Sequence, residues 1–371
     1  MSALTSRQRR RLVAVGRVVA FSLAPVVALL VAGELLARVL ASAPASEVDA
    51  GDAGDAASGG LSMVPHPTRI WSLAPGLIHD GGVTHRIRED QLRAVPETDA
   101  PLRALTLGDS SIFGHGLEDQ DTLHVQLAAA LASRELRVDV YCGGVPGYST
   151  EQSLVLLDET GWGLEPDLLV VGNLWSDNDF QYFVDREWLA ALNSPLRRLD
   201  RALAWSVAWE RLRSLQRPEA ARDGALPIGW VREPYPTREG RRRVPLADYA
   251  ANLDAMLAAA ADRDVGAVVL APANRHRLEP DGSLVMWDAY FEAMRLVAER
   301  RNVLVVDAVE TLDGLTLDEA FLDEMHPTGR ANARYGEALA AALVSAGWPE
   351  ARLIPERAPP LAAEWVDVFA K

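Results

Sequence analysis

The chain has 371 residues, a formal net charge of −15 and one cysteine, Cys142. This length suffices for one large domain with appendages, and the acidic charge argues against nucleic acid as a partner. A single cysteine cannot form an intramolecular disulfide. No Cys/His cluster has the spacing of a zinc site, and no glycine-rich phosphate loop occurs, so we expect neither a metal nor a cofactor.

The N-terminus combines a cluster of arginines with an apolar stretch. The arginines lie within residues 7–11, and Leu12–Leu40 is then mostly apolar. The stretch is interrupted by three charged residues, Arg17, Glu34 and Arg38. Its uncharged part is shorter than the roughly 20 residues of a spanning helix, but charged side chains at its ends can snorkel to opposite interfaces. We therefore predict that residues 1–41 are a basic N-terminus and a transmembrane anchor.

The alternative to an anchor is a cleaved signal peptide, because Ala41-Ser42-Ala43 and Ala43-Pro44-Ala45 are small-residue sites. The run Glu34–Arg38 continues the helical pattern beyond the apolar part and argues against cleavage. An uncleaved anchor keeps its basic side in the cytoplasm. The rest of the chain is then expected outside the cytoplasm, either periplasmic or at the cell surface. A secreted protein is the second choice.

Two segments separate this region from the main body. Residues 42–60 are an acidic, low-complexity linker, which cannot bury enough apolar surface to become ordered. Residues 61–100 contain Trp71, Pro75 and Gly76 and are predicted to form an extended lead-in arm packed on the body. The main domain is then expected over 101–346.

The first strand of the domain is predicted at Leu102–Leu107, a mostly apolar run bounded by turn formers. It leads into Gly108-Asp109-Ser110. A serine that follows a buried strand lies at the carboxyl edge of the sheet, where open α/β sheets bind ligands. A serine hydroxyl is a weak nucleophile unless a base lies beside it, so the tripeptide alone also fits an ordinary loop.

A second strand begins at Val138 and runs into Gly143-Gly144-Val145-Pro146-Gly147. Ser149 and Thr150 follow as candidate helix N-caps. Glycines let a backbone approach a substrate closely and direct N–H groups at it. A plain tight turn explains Pro146 and Gly147 well, but it explains the doubled Gly143-Gly144 less well.

A third strand is predicted at Leu168–Val171, extending to Leu174, with Asn178 beyond its end. An asparagine N–H is a suitable donor to a developing oxyanion, although a helix cap or a turn explains such a residue equally simply. Asn173 is the rival donor, but this boundary places it within the strand.

The segment 180–244 is predicted to be a helical insertion, because aromatic and leucine residues recur in it near helical spacing. It either packs on the body or forms a lid over the site. The strands and helices that follow alternate, which favours a parallel sheet with right-handed crossovers. They are predicted at Leu246–Asp262 (helix), Ala267–Ala271 (strand), Met286–Arg300 (helix), Val303–Asp307 (strand) and Pro327–Ala346 (helix). Residues 347–371 form a tail.

The last informative segment is Asp323-Glu324-Met325-His326, directly before the final helix. A histidine that takes a serine proton needs its other nitrogen tied to an acceptor. Asp323, three residues upstream in a turn, can be that acceptor. Asp307, at the end of a strand, is the second choice. Asp121 and His124 share the same spacing, but there the aspartate is more simply a helix cap.

These four segments, in this order, resemble the SGNH, or GDSL-type, hydrolase family, and the resemblance covers about residues 100–346. It implies a flavodoxin-like three-layer α/β/α sandwich with a parallel sheet of about five strands, here preceded by the N-terminal transmembrane helix. It also implies Ser110 as nucleophile, His326 as general base and Asp323 as its orienting partner.

The resemblance further implies an oxyanion hole formed by the N–H groups of Ser110 and Gly147 and by the side chain of Asn178. Gly144 is the second choice in its segment. The chain departs from the family at Asp177, which adds a carboxylate beside Asn178, and at Cys142, where the family usually has asparagine.

The activity that the resemblance implies is hydrolysis of a small-molecule or glycan ester, with a short acyl group such as acetyl, through an acyl-enzyme. Two alternatives remain at this point. The same residues would serve an O-acyltransferase acting on an envelope glycan, because exclusion of water decides between hydrolysis and transfer. A glycan-binding protein without catalytic activity is the third hypothesis.

Overall fold

The structure is a computed structural model. It describes Ala32, Glu34, Arg38 and residues 63–181, 184–192, 199, 203, 206–209, 241–279, 287–359 and 361. Contacts divide the chain into two units, 1–53 with 193–231 and 54–192 with 232–371. The predicted linker, most of the predicted anchor and most of the predicted insertion lie outside the described residues. No helix in the described part of the chain is both long enough and apolar enough to cross a bilayer.

In the first unit, the carboxylate of Glu34 accepts hydrogen bonds at the start of a helical turn. The donors are the Ser206 hydroxyl at 2.6 Å and the backbone N–H groups of Val207 and Ala208 at 3.0 and 3.2 Å. A carboxylate at this position satisfies N–H groups that lack a partner within the helix.

The second unit contains all the strands that the structure describes. They are β1 Met63–His66, β2 Ile70–Leu73, β3 Gly76–Asp80, β4 Val83–Ile87, β5 Leu102–Gly108, β6 Val138–Gly144, β7 Leu168–Val171, β8 Phe180–Gln181, β9 Arg241–Arg242, β10 Gly266–Ala271 and β11 Leu304–Asp307. Its helices are α1 Ser110–Phe113, α2 Leu123–Ala132, α3 Thr150–Glu159, α4 Trp175–Asn178, α5 Asp185–Leu192, α6 Leu246–Asp262, α7 Arg275–Leu278, α8 Asp288–Arg300, α9 Ala308–Thr311, α10 Leu317–Ala320 and α11 Gly329–Ser345.

The central sheet has five parallel strands in the order β6-β5-β7-β10-β11. Numbered along the chain, this order is 2-1-3-4-5, the flavodoxin-like doubly wound arrangement. The order reverses between β5 and β7, and ligands bind at such a reversal, at the carboxyl ends of the strands. The predicted α/β/α sandwich with a parallel sheet is therefore confirmed.

Helices cover both faces of the sheet. All four residues of β7 are buried, as expected for a strand with a helical layer on each side. Leu168 and Val170 belong to a core cluster with Leu127 of α2 and Leu339 of α11. Because successive side chains of a strand point to opposite faces, Leu169 and Val171 point to the opposite layer, where α6 packs against α3 and α8.

The segment before the sheet forms two antiparallel hairpins, β1-β2 and β3-β4. Beyond them, Arg93 forms an antiparallel β-bridge with Cys142 of the edge strand β6. This backbone contact protects the edge of the sheet from pairing with another chain. The guanidinium of Arg93 is buried and donates to the carbonyls of Phe113, Gly114 and Leu117 at 2.8–3.1 Å. This segment thus braces the loop that follows β5.

The predicted elements differ from the observed ones mainly at their ends. The helix Leu246–Asp262 has the predicted bounds, and the final helix is two residues shorter at its start. The predicted extension of β7 to Leu174 is wrong. The Gly172 N–H makes a last bond to the Leu107 carbonyl at 2.8 Å, and the chain then turns into α4.

The segment after α11 packs on the core of the second unit, of which it is a part. Trp348 is 2% exposed and belongs to the same core cluster as Leu339. The Ala267 N–H, at the start of β10, donates to the Leu353 carbonyl at 3.1 Å. Residues 347–353 therefore pack against the start of β10, at the end of the sheet opposite the edge that carries Ser110.

Candidate active site

Ser110 is the first residue of α1, the helical turn that follows β5. Asp109 is its N-cap, and the Asp109 carboxylate accepts from the Ser111 N–H at 2.9 Å. Burial raises the pKa of Asp109, against the opposing effects of the N–H groups of Ser111 and Ser176 and of His326. The Asp109 carboxyl group therefore caps the turn, and Ser110 is the residue of this segment whose side chain contacts His326.

Glycines at the carboxyl ends of three neighbouring strands, β6, β5 and β7, make room for this turn. A Cβ atom on Gly108 would overlap the side chain of Ile112, and one on Gly172 would lie 2.7 Å from Ile112 Cδ1. A Cβ atom on Gly144 would overlap the backbone nitrogen of Phe113. The doubled Gly143-Gly144 thus has a structural reason that the sequence did not show: Gly144 packs against the nucleophile turn, and a Cβ atom on Gly143 would lie 2.7 Å from the Thr106 carbonyl oxygen.

His326 lies in a closed loop between α10 and α11. Phe321 forms an antiparallel β-bridge with Pro327, and the Leu322 N–H donates to the His326 carbonyl at 2.8 Å. Asp323 and His326 therefore project together from the loop. Arg275, at the start of α7, braces the loop by donating to the Asp323 carbonyl at 2.8 Å.

The structure brings Ser110, His326 and Asp323 into one hydrogen-bonded chain. His326 Nδ1 lies 2.7 Å from Asp323 Oδ2, and His326 Nε2 lies 2.7 Å from Ser110 Oγ. An ionised carboxylate can only accept hydrogen bonds, so Nδ1 carries the proton. Nε2 is then free to accept the proton of the Ser110 hydroxyl.

Asp323 is held in its ionised form. Burial alone would raise its pKa, but the hydrogen bond and charge of His326 and the N–H groups of Met325 and His326 together hold the pKa of Asp323 well below its usual range. Those N–H groups donate to Asp323 Oδ1 at 3.0 and 2.9 Å. The carboxylate therefore remains ionised, ready to stabilise an imidazolium at His326.

The rival aspartate and the rival pair have other partners. Asp307 accepts two hydrogen bonds from Arg277, at 3.1 and 2.8 Å, and caps α9. His124 is buried with Thr122 Oγ1 at 2.9 Å from its Nε2. Burial, together with the Arg93 charge, lowers the pKa of His124 to about 3, so its imidazole is neutral. Neither Asp307 nor His124 is in hydrogen-bond contact with Ser110 or His326.

Gly147 lies past the end of β6 at φ +75°, a conformation that favours glycine. Among the described residues, the N–H groups of Gly147 and Ser110 have no acceptor. Gly144 is still part of β6, in register with Gly108. An N–H without a protein acceptor beyond a strand end is available to a ligand, which favours Gly147 over Gly144 as a donor.

Asn178 is the last residue of α4. The backbone N–H of Ser176, in the same helix, lowers the pKa of the Asp109 carboxyl. The side chain of Asn178 makes no hydrogen bond to the described part of the chain, and its amide oxygen Oδ1 is buried without a partner. Asn173 lies beyond β7, contrary to the predicted strand, but its amide donates to Ser153 Oγ at 2.9 Å. The amide of Asn178 is therefore the available one.

Asp177 points away from this position. Its carboxyl group is fully buried and accepts from the N–H and the hydroxyl of Thr150 at the start of α3. Burial raises the pKa of Asp177 to about 8, although the Thr150 hydrogen bonds and the Arg243 charge oppose this shift. At neutral pH the carboxyl is mostly uncharged, and it places no negative charge beside Asn178.

Cys142 is fully buried in β6, and burial raises the pKa of its thiol to about 11. A protonated, inaccessible thiol is not a nucleophile. This is consistent with Ser110 as the nucleophile that the resemblance implies.

Sequence reasoning missed a second imidazole at the site. The His115 ring lies with its centroid 4.4 Å from that of His326, and His115 Nδ1 lies 2.6 Å from Asp80 Oδ1. The hydrogen bond that His115 donates to Asp80 raises the pKa of His115, while burial opposes the shift. Gly114-His115 follows Ser110 so closely that proximity was readable, but Asp80 comes from the β3-β4 hairpin and only the fold brings it there.

No known protein-family model matches the chain, and no curated protein matches it. Solved structures do resemble it. One is the α/β hydrolase LAE5 from the metagenome of Lake Arreo, at 22% identity and a TM-score of 0.42, covering 66% of this chain and 96% of that one. Another is a lipase/acylhydrolase from Enterococcus faecalis, at 16% identity and a TM-score of 0.41, covering 69% and 100%.

A third similar structure is the acetylxylan esterase Axe2 from Geobacillus stearothermophilus, at 17% identity and a TM-score of 0.42, covering 67% of this chain and 95% of that one. Identities and TM-scores at this level do not establish what the present chain does. The functional conclusion below depends on the geometry of the chain's own residues.

Proposed function

We propose that the chain is a serine esterase that hydrolyses a short-chain or O-acetyl ester through an acyl-enzyme. The observation that carries the proposal is a pair of linked hydrogen bonds. Ser110 Oγ lies 2.7 Å from His326 Nε2, and His326 Nδ1 lies 2.7 Å from Asp323 Oδ2. This arrangement supplies a nucleophile, its base and the group that orients the base.

In the first half of the reaction, Ser110 Oγ attacks the ester carbonyl carbon while its proton passes to His326 Nε2. Asp323 stabilises the imidazolium that results. The tetrahedral oxyanion accepts hydrogen bonds from the N–H groups of Ser110 and Gly147 and from the Asn178 amide. The C–O bond to the alcohol then breaks, and the alcohol oxygen leaves with the proton from His326.

In the second half, water replaces the alcohol. His326 takes a proton from the water, the hydroxide attacks the acyl-Ser110 carbonyl, and the same donors hold the second oxyanion. Collapse of this intermediate releases the carboxylic acid and returns the proton to Ser110. No step requires a metal or an organic cofactor.

The resemblance of the four segments to the SGNH hydrolases supports a short acyl group in the substrate. This part of the proposal is tested by comparing p-nitrophenyl acetate, butyrate and octanoate with acetylated sugars. We expect activity to fall as the acyl chain lengthens, and equal or greater activity on the octanoate would refute this part.

The nucleophile is tested with Ser110→Ala and with Ser111→Ala as a matched control, since Ser111 is a buried neighbour on the same turn. We expect Ser110→Ala to lower hydrolysis of p-nitrophenyl acetate by roughly four orders of magnitude or more and to abolish labelling by a fluorophosphonate. Ser111→Ala should retain both. Equal activity of the two variants would refute the assignment of Ser110.

We also propose that residues 12–40 attach the protein to a membrane and that the domain acts outside the cytoplasm. The support is the arginine cluster before an apolar stretch. The acidic linker 42–60 would then tether the domain at a distance from the bilayer.

A further inference from the structure

A buried ionic cluster lies behind the glycine turn that carries Gly147. Arg243 is 4% exposed and Asp185 is fully buried. Arg243 Nε and Nη2 donate to the two carboxylate oxygens of Asp185 at 3.1 and 2.7 Å. The Ser149 hydroxyl donates to the same carboxylate at 2.6 Å. The two members of the ion pair come from opposite ends of the predicted insertion 180–244.

The guanidinium of Arg243 does more than pair with Asp185. Its Nη1 donates to the carbonyl oxygen of Gly147 at 2.6 Å, and its Nη2 also donates to Gln152 Oε1 at 2.7 Å. The first of these bonds fixes the peptide group that joins Gly147 to Tyr148. Only the planar fork of an arginine, with its several donors, reaches these acceptors together.

The preceding peptide group, which carries the Gly147 N–H, is held by Trp71. Trp71 Nε1 donates to the Pro146 carbonyl at 3.2 Å. The carbonyl and the N–H of one peptide group point in opposite directions because the group is planar and trans. Holding the Pro146 carbonyl therefore directs the Gly147 N–H to the other side. The guanidinium carbon of Arg243 lies 5.0 Å from the centre of the Trp71 ring, so the two holders also contact each other.

Arg243 also connects to the segment that carries Asn178. Its backbone N–H donates to the Asp179 carbonyl at 2.9 Å, and the Val244 N–H donates to the Asp177 carbonyl at 3.1 Å. Arg243 thus contacts the Gly147 turn through its side chain and Asp179 through its backbone, while the next residue, Val244, contacts Asp177 on the other side of Asn178. Gly147 needs such support, because glycine otherwise has the widest choice of φ and ψ.

We propose that Arg243 and Trp71 are positioning residues for the oxyanion hole: together they fix both peptide groups that flank Gly147 and so direct its N–H toward the ester carbonyl held at Ser110. The inference rests on the proposed esterase function. Trp71 comes from the predicted arm 61–100, and Arg243 comes from the C-terminal end of the predicted insertion 180–244, so both segments support the site.

The test compares Arg243→Lys and Trp71→Phe with Arg301→Lys. Lysine keeps a charge near Asp185 but loses the fork, and phenylalanine keeps a ring but loses the Nε1–H. Arg301 is the matched control. It is 1% exposed and pairs with buried Asp254 at 2.5 and 2.8 Å. Its other side-chain hydrogen bonds within the described residues go to the carbonyls of Glu356 and Ala358, not to the Gly147 turn. Replacing it therefore disturbs a comparable ion pair without touching the oxyanion donors.

We expect Arg243→Lys and Trp71→Phe to lower kcat for p-nitrophenyl acetate by about 10- to 100-fold with little change in KM, because a misdirected donor weakens transition-state binding. Their affinity for an arylboronic acid, which forms a tetrahedral adduct on serine, should fall by a similar factor. Arg301→Lys should unfold at lower urea concentration but keep kcat and boronic acid affinity within about twofold.

Wild-type-like kcat and boronic acid affinity in both Arg243→Lys and Trp71→Phe would overturn the inference while leaving the esterase function intact. If Arg243→Lys does not fold, Trp71→Phe alone decides. A wild-type protein that neither hydrolyses esters nor reacts with a fluorophosphonate at Ser110 would overturn the proposed function and, with it, this inference.

Discussion

At the scale of single residues, Asp177 shows how direction decides the effect of a charge. In the sequence it stands beside Asn178, where a carboxylate would oppose a developing oxyanion. In the fold it turns to the start of α3 and accepts from the N–H of Thr150 at 2.9 Å. Burial raises its pKa to about 8, so the group is mostly protonated at neutral pH.

This raised pKa predicts a specific dependence of stability on pH. Between pH values of about 4 and 8 the unfolded Asp177 is ionised while the folded one keeps its proton. The folded state then binds more protons, so the free energy of unfolding falls as pH rises through this window, by at most about 1.4 kcal/mol per pH unit. Asp177→Asn removes the titrating group and this contribution.

The measurement is urea unfolding of the wild type and Asp177→Asn at pH 5, 6, 7 and 8. The difference in unfolding free energy, wild type minus variant, should decrease steadily with pH. Taking the difference cancels the contributions of the other titrating groups. A difference that stays constant from pH 5 to pH 8 would contradict the raised pKa.

At the scale of elements, the site depends on how closely α1 approaches three strand ends. Gly108, Gly144 and Gly172 lie at or just past the ends of β5, β6 and β7, and a side chain on any of them would meet Ile112 or Phe113. Ser110 is therefore held against the sheet by its own turn packing on bare backbone, which keeps Oγ within reach of His326.

Gly144→Ala should push α1 away from the sheet, because the new Cβ atom meets backbone rather than a flexible side chain. We expect a loss of about 1–3 kcal/mol in stability and a fall in kcat of about 100-fold, in line with small displacements of a nucleophile. Gly163→Ala is the control, since nothing lies within 4 Å of its added Cβ atom. Full activity in a folded Gly144→Ala variant would show that the approach of α1 is not critical.

At the scale of the whole molecule, the chain joins a doubly wound domain to an N-terminal stretch of different composition. The domain is braced by segments from outside the sheet, because the arm supplies Arg93 and Trp71 and the last described segment supplies Trp348. The basic and apolar composition of residues 7–40 makes a separate prediction, which concerns where this domain is held.

We expect the full-length protein to remain with the membrane fraction after alkaline carbonate extraction, because apolar burial in lipid does not depend on pH as peripheral charge contacts do. Intact-mass analysis of the extracted protein should show residues 1–41 still present. Release into the supernatant, or a mass that begins after Ala43 or Ala45, would favour a cleaved signal peptide.

Much of the architecture was readable from local pattern. Apolar runs of four to seven residues predicted the five strands of the sheet, and the helix Leu246–Asp262 was predicted with its observed bounds. The Ser149 cap was also confirmed, as part of a capping box with Gln152. Such features depend on neighbours close in sequence, and for this reason the sequence shows them.

The boundaries and partners that failed or stayed open depend on distant contacts. The end of β7 was misplaced because Gly172, rather than a turn signal, ends the ladder against Leu107. The choice between Asp323 and Asp307 needed the position of Arg277, which occupies Asp307. The doubled Gly143-Gly144 stayed open between substrate approach and a tight turn, whereas in the fold Gly144 makes room for α1 and Gly143 lies against the Thr106 carbonyl.

The sequence by itself determined which chemical groups stand at the strand ends: a serine after β5, a glycine turn after β6, an asparagine after β7 and an Asp-x-x-His loop before the last helix. Only the tertiary structure decided which of them meet and which way they point. It placed His326 Nε2 within 2.7 Å of Ser110 Oγ across 216 positions of chain. It also set His115 beside His326 and Arg243 behind Gly147. The physical reason is that patterning records burial and local hydrogen bonding, whereas the direction of a side chain is fixed by packing between segments that the chain brings together only on folding.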